Sequence, residues 1–182
     1  MDFTTKVPVK LYEFPINYDS SLLSLGSCFA ENMGEKFDYF KFRINTNPFG
    51  IIFNPVSIER LVERVVNKKS FTEADIFFQN DVWQSYEVHS ECSQSDKDTL
   101  LQQLNTSAEN MYRQITEATH IIITFGTSWV YRLKTTNEIV ANCHKVPQKE
   151  FSKEILSPET IQQSIQNTMD LIRQINPDCR FI

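Results

Sequence analysis

The sequence predicts an α/β fold, with a mostly parallel sheet covered by helices on both faces. Three observations carry the prediction. The runs "SLLSLG" and "HIIITFG" have the length and composition of strands buried on both sides. Segments of helical apolar spacing stand between such runs, the alternation expected of parallel strands joined by crossover helices. Of the four glycines in 182 residues, Gly26, Gly50 and Gly126 fall where predicted strands end, the edge at which such sheets hold ligands.

The elements follow in chain order. After "SLLSLG", Phe29, Met33, Phe37 and Phe40 recur at helical spacing. "FRINTN" reads as a second strand, with Phe42 and Ile44 alternating against Arg43 and Asn45. Asn54 and Pro55 open a helix with the apolar stripe Ile58, Leu61, Val62 and Val65. "DIFFQNDVWQSYEVHS" reads as a hairpin turning near Asn80 and Asp81, its second strand ending at His89. A long helix is expected from about Asp96 to Ala118, followed by the strand "HIIITFG". A second hairpin, "WVYRLKTTNEIVANCH", comes next. Ser157 then caps a helix that starts with Pro158 and runs to about Asn176, and "CRFI" starts another strand.

The totals narrow the function classes. Residues 1–182 are enough for one domain with a single core. Hydrophobic residues make up 41% and charged residues 23%, and the net charge of −5 is spread without blocks of one sign. Nucleic acid and anionic membranes select for clustered basic faces, so neither is an expected partner. No segment has the length of a bilayer span, and "MDFTTKVPVKLYEFP" contains no signal-peptide core. The expected location is the cytoplasm. Cys28, Cys92, Cys143 and Cys179 lack metal or disulfide spacing, which predicts free, mostly buried thiols and no metal. No glycine-rich phosphate loop or dinucleotide fingerprint occurs, and no cofactor is expected.

The stretch "SLLSLGSCFAENMG" places Ser27 where a strand becomes a helix. A hydroxyl there stands at the carboxyl edge of the sheet, among the unpaired N–H groups of a first helical turn and at the positive end of the helix dipole. A nucleophile that passes through an oxyanion needs that setting. The same serine is equally suited to be an N-cap, and the two roles are compatible. Cys28 is expected to point into the first turn and pack there.

"GSCFAENMG" reproduces the signature of the GSCFA family, and the family resembles a branch of the SGNH (GDSL-like) hydrolases. The likeness continues through "NTNPFGIIFNP", "DVWQSYEVHS", "ITFGTSWVY" and "VANCHKVP". It implies a three-layer α/β/α (flavodoxin-like) fold with two hairpin insertions, and hydrolysis of an ester or acyl bond. By the resemblance Ser27 is the nucleophile, although the aspartate usual before that serine is replaced by Gly26. The N–H groups of Ser27 and Gly50 would hold the oxyanion. Ser128 stands where an asparagine is usual, offering a hydroxyl as the third donor. The Asp-x-x-His block that supplies the base in these hydrolases does not occur. The resemblance therefore implies that residues 1–182 are the N-terminal part of a longer domain, weak or inactive as it stands.

Three histidines are candidates for the missing role. His120 opens its strand at the far end and is read as structural. His89 lies near Trp83 and Ser85. If the hairpin turns on Thr135 to Glu138, Lys134 pairs with Ile139 and Trp129 with His144, which puts His144 beside Ser128 at the mouth of the site. His144, His89 and Trp129 are thus candidates for substrate binding or proton transfer, against packing roles for the same side chains.

The expected substrate is a small ester, such as an acetylated carbohydrate or a lipid-like acyl ester. The alternative is a ligand-binding or interaction module on the same scaffold. The strand edge at "CRFI" invites pairing with a second copy of the chain.

Overall fold

A computed structural model of the chain describes residues 12–182. The reading of a missing signal-peptide core falls mainly on residues 1–11, outside the described residues.

The fold is a three-layer α/β/α arrangement with two antiparallel excursions. The central sheet has the order β2-β1-β5-β9, all parallel. Its strands are β1 (Ser21–Gly26), β2 (Arg43–Thr46), β5 (His120–Thr124) and β9 (Arg180–Phe181). Helix α1 (Cys28–Tyr39) joins β1 to β2 and packs on β1, β2 and β5. The chain then reaches β5 on the opposite side of β1. A right-handed crossover requires the intervening helices to lie on the other face. These are α2 (Pro55–Val66) and α3 (Lys97–Glu117), joined there by α4 (Pro158–Ile175) before β9.

The two faces of β1 divide the core. Leu23, Leu25 and Ile121 point into one cluster with Ile58, Leu61, Val62 and Val65 of α2, Leu100, Leu104, Met111 and Ile115 of α3, and Ile172 of α4. Burying each such side chain contributes about 1.5–3 kcal/mol, so this cluster carries most of the hydrophobic stabilisation. The predicted stripe of α2 is the face that is buried. On α4 the inward face includes the small buried residues Ser164 and Thr168, which let it approach α2 closely. Among the described residues, α1 is the helix that covers the opposite face of the sheet. Gly34 of α1 lies so close to β2 that a Cβ there would collide with the Thr46 hydroxyl.

The first excursion is the hairpin β3 (Phe77–Gln79) and β4 (Val82–Gln84), which turns at Asn80 and Asp81 as predicted, both with positive φ. Its second strand stops at Gln84, short of the expected His89. Val88 N–H turns back to Ser85 O, and His89 instead caps a short 3-10 turn over Ser90–Cys92. The second excursion is a three-stranded sheet, β7-β6-β8, rather than a hairpin alone. It comprises β6 (Trp129–Leu133), β7 (Glu138–Val140) and β8 (Phe151–Ile155). Here the predicted register is corrected. Leu133 lies opposite Glu138, two residues from the expected Val140, because the turn takes in Lys134 to Asn137 with Asn137 at positive φ. Trp129 pairs with Ile155 of β8 and not with His144.

Both excursions are tied to α2 by ion pairs. Arg64 is buried and makes a two-pronged contact with the buried Glu87, at 2.8 and 2.6 Å. It also donates to Asp75 at 2.7 Å and to Ser70 O at 3.0 Å. Arg60 bridges Glu87 and Glu138. Burial opposes the charge on Arg64, but hydrogen bonds and attraction from Glu87 and Asp75 outweigh it and hold its pKa above the usual value.

Candidate active site

The carboxyl rim of the sheet is built from the loops after β1, β2 and β5. They are laced together by hydrogen bonds. Gly26, at φ +126°, ends β1, and its N–H donates to the Asn47 side chain at 2.8 Å. Its carbonyl accepts from Ile52 N–H at 2.9 Å. Asn47, buried and at positive φ, takes a Ser24 carbonyl with its own N–H and donates from its side chain to Glu31 on the first turn of α1. Gly126 N–H donates to Phe53 O, which joins the β5 loop to the β2 loop.

Ser27 sits at this rim as the N-cap of α1. Its hydroxyl lies 2.8 Å from the Thr124 hydroxyl and accepts from Phe29 N–H at 3.3 Å. The residue is only 4% exposed. Its N–H donates to the carbonyl of Thr124, with the Thr124 hydroxyl also at 3.1 Å. That N–H is therefore spent inside the protein. The same holds for Gly50, whose N–H closes a turn on Asn47 O at 2.8 Å. In this conformation neither is open to an oxyanion, contrary to the expectation for both. Cys28 N–H, the first of α1, has no acceptor among the described residues. The Cys28 side chain is exposed and not packed in the first turn as expected. Cys143 is half-buried, while Cys92 and Cys179 are buried and their thiols are pushed up to about 11, which makes those two inert.

The three histidines separate clearly. His120 is buried at the opposite edge, between the Thr119 hydroxyl and Phe14 O, as a structural residue. His144 is buried in the second excursion. After Val140 the chain turns toward Tyr86, with Ala141 N–H on Tyr86 O at 2.8 Å. His144, at positive φ, then binds Ser85 O through Nε2 at 2.7 Å and packs edge-on against Phe77. Burial pushes its pKa below the usual imidazole range, helped by the nearby His89, although the Ser85 carbonyl opposes the shift. It is a packing histidine, and the predicted place beside Ser128 is corrected by the register described above. His89 is the one that reaches the rim. Its N–H donates to Phe49 O at 3.0 Å, and its Cβ lies where a side chain at Gly50 would have to go. Its Nδ1 faces the Glu91 carboxylate at 3.6 Å.

Ser128 is half-buried in the β5–β6 loop, its carbonyl fixed by Leu156 N–H at 2.9 Å. Its hydroxyl has no hydrogen bond among the described residues. Trp129 is exposed, with the Lys153 ammonium 4.8 Å from its ring centre. Asn47, Thr124 and Glu91 were not singled out in the sequence. Their positions carry a weak local signal, Asn47 directly after β2, Thr124 at the last position of β5 and Glu91 two residues after a rim histidine, but their contacts do not.

Among the described residues no helix is long and apolar enough to cross a membrane, and no group of three or more His, Cys, Asp or Glu side chains is arranged to hold a metal. The fold and rim thus define an α/β protein with a strand-to-helix serine at its ligand edge. Residues 21–182 match the model of the GSCFA family, and the chain belongs to that family. No curated protein and no solved structure matches it.

Proposed function

We propose that this GSCFA protein is a serine hydrolase of the SGNH (GDSL-like) type that cleaves ester bonds with Ser27 as nucleophile. The observation that carries the reading is the position of the Ser27 hydroxyl. It lies at the β1–α1 junction on the carboxyl rim, beside the Gly50 loop and the loop leading to Ser128. For attack, the Ser27 hydroxyl exchanges its contact with Thr124 for one with substrate. A bond forms from Ser27 Oγ to the ester carbonyl carbon as the serine proton passes to a histidine. The bond to the alcohol oxygen then breaks, and the alcohol leaves with that proton. Water adds to the acyl-serine, releases the carboxylic acid and restores the serine. Of the three histidines, His89 is the one at this rim and is the proton acceptor of the proposal; its Nδ1, which accepts from Glu91 N–H at 3.4 Å, turns to donate to the Glu91 carboxylate 3.6 Å away, leaving Nε2 to take the serine proton. Cys28 N–H and the Ser128 hydroxyl are the donors left for the oxyanion.

A non-catalytic binding module is the second reading. It is favoured by the Ser27 and Gly50 N–H groups being occupied within the protein. A fluorophosphonate probe separates the two. The hydrolase reading expects labelling of the wild type, none of Ser27→Ala and slowed labelling of His89→Asn. Wild-type protein that never labels sinks it.

A further inference from the structure

A groove of about 600 Å³ opens at the rim between the end of β8 and the first two turns of α4. That volume is typical of small-molecule sites, which run from about 300 to 1,000 Å³. Its walls are Ile155 and Leu156 from the end of β8 and Pro158, Ile161 and Ile165 from α4, with Ser128 at one end. On α4 these positions recur at helical spacing and form one continuous stripe. Among the described residues the remaining lining groups are the amides of Gln162 and Gln166, and none of the lining side chains is charged.

Two further observations tie the groove to the proposed chemistry. Leu156 N–H donates to Ser128 O at 2.9 Å, which joins the groove wall to the Ser128 loop. Ser128 lies four positions on from Thr124, whose hydroxyl touches Ser27, and four steps of chain span at most about 14 Å. Phe53, Phe125, Trp129 and Ile155, on the neighbouring loops and strand ends, are exposed apolar side chains. Apolar surface gathered this way marks a ligand or partner site more often than chance exposure does.

We infer that this groove takes the acyl chain of the substrate, so that the ester cleaved at Ser27 carries an aliphatic chain of several carbons and not an acetyl group. The inference rests on the hydrolase reading and specifies its substrate class. A carbohydrate-binding wall would present a row of hydrogen-bonding side chains, whereas five of the eight lining residues are aliphatic or proline. Ser128, whose hydroxyl has no hydrogen bond among the described residues, is the lining residue nearest in sequence to Thr124 and is the donor the proposal gives to the carbonyl end of such a chain.

The test is isoleucine-methyl NMR during titration with octanoate, and separately with acetate. Saturable shifts at Ile155, Ile161 and Ile165 are expected with octanoate and none with acetate. Ile165→Trp, which fills the groove, is expected to weaken octanoate binding by about tenfold or more. Gln162→Trp, at an exposed rim position, is expected to weaken it in the same direction without touching the core. Absent shifts, shifts scattered away from these residues, or binding untouched by both variants overturn the inference. Fluorophosphonate labelling reports the two claims apart. Octanoate binding in the groove without labelling at Ser27 removes the hydrolase reading and keeps an acyl-binding site. Labelling without octanoate binding keeps the hydrolase and removes the acyl groove.

Discussion

The loops of the parallel rim and the two antiparallel excursions are built by different means. At the rim, the loops are joined mainly by backbone hydrogen bonds, through Gly26, Asn47, Ile52, Thr124 and Gly126. The excursions are held by side chains: the Arg64–Glu87–Asp75 cluster, Arg60, and the aromatic stack of Phe77 on Tyr86. The difference teaches where tolerance lies. A backbone lattice fixes atoms and admits few substitutions, whereas side-chain ties permit change provided that no buried charge is stranded.

The strongest way to break this contrast is Gly26→Ala. The residue has φ +126°, and a Cβ would run into the carbonyl of Thr124. The expected loss is about 4 kcal/mol or more, in the exceptional tail of single substitutions, measured by denaturant unfolding. A loss below 1 kcal/mol would show the rim to be pliable.

Next in size is Arg64→Ala. Removing Arg64 leaves the buried Glu87 with the half-exposed Arg60 as its only cation, at an expected cost of up to about 3–5 kcal/mol. Replacing Arg64 and Glu87 together with apolar residues should recover much of that, which would show that the excursions need no charge in principle. Asp75 adds an acid dependence. Burial alone would raise its pKa, but hydrogen bonds from Thr72 and the Arg64 charge lower it below the ordinary value. Its contribution is therefore complete above the unfolded-state pKa, about 3.9, and is lost as pH falls through the lower folded-state value. Asp75→Asn should flatten the acid limb of a stability–pH curve.

Asn47→Ala comes third. It leaves the buried Gly26 N–H without an acceptor and puts alanine at a positive φ, for an expected cost of about 1–3 kcal/mol by thermal or denaturant unfolding. Asn47→Asp keeps the acceptor and should cost less, unless repulsion from Glu31 removes the gain.

The smallest effect concerns His144. With its folded-state pKa depressed, the unfolded chain takes up a proton first as pH falls. Stability should therefore decline below about pH 6.5, and His144→Gln should remove that slope. A slope that persists would assign it elsewhere.

The same contrast explains what the sequence made legible. Parallel strands and their helices were readable because periodicity and caps are local: "SLLSLG", the α2 stripe and the Ser157 cap stand as expected, and the helices expected to start near Asn54 and Asp96 do so, with those residues as their caps. The excursions were readable only in part. Register depends on turn length, and a four-residue turn over Lys134–Asn137 carried β7 two residues away from the expected pairing. Strand β8, "FSKEI", is short and half polar and gives little signal alone. At the site, Ser27 as a cap was visible from its neighbours in sequence. Thr124, its partner 97 residues away, and Asn47, the partner of Gly26 at a distance of 21 residues, were not. No local pattern encodes which loop will meet which across a sheet.

The close seating of Gly34 on Thr46 has a mechanical meaning. A helix pinned at its middle behaves as a lever, with Ser27 at the tip of the arm that begins it. Widening the pivot by a single bulky side chain at position 46 would swing that tip across the rim, so the fit of a glycine on a threonine helps to set where the hydroxyl stands.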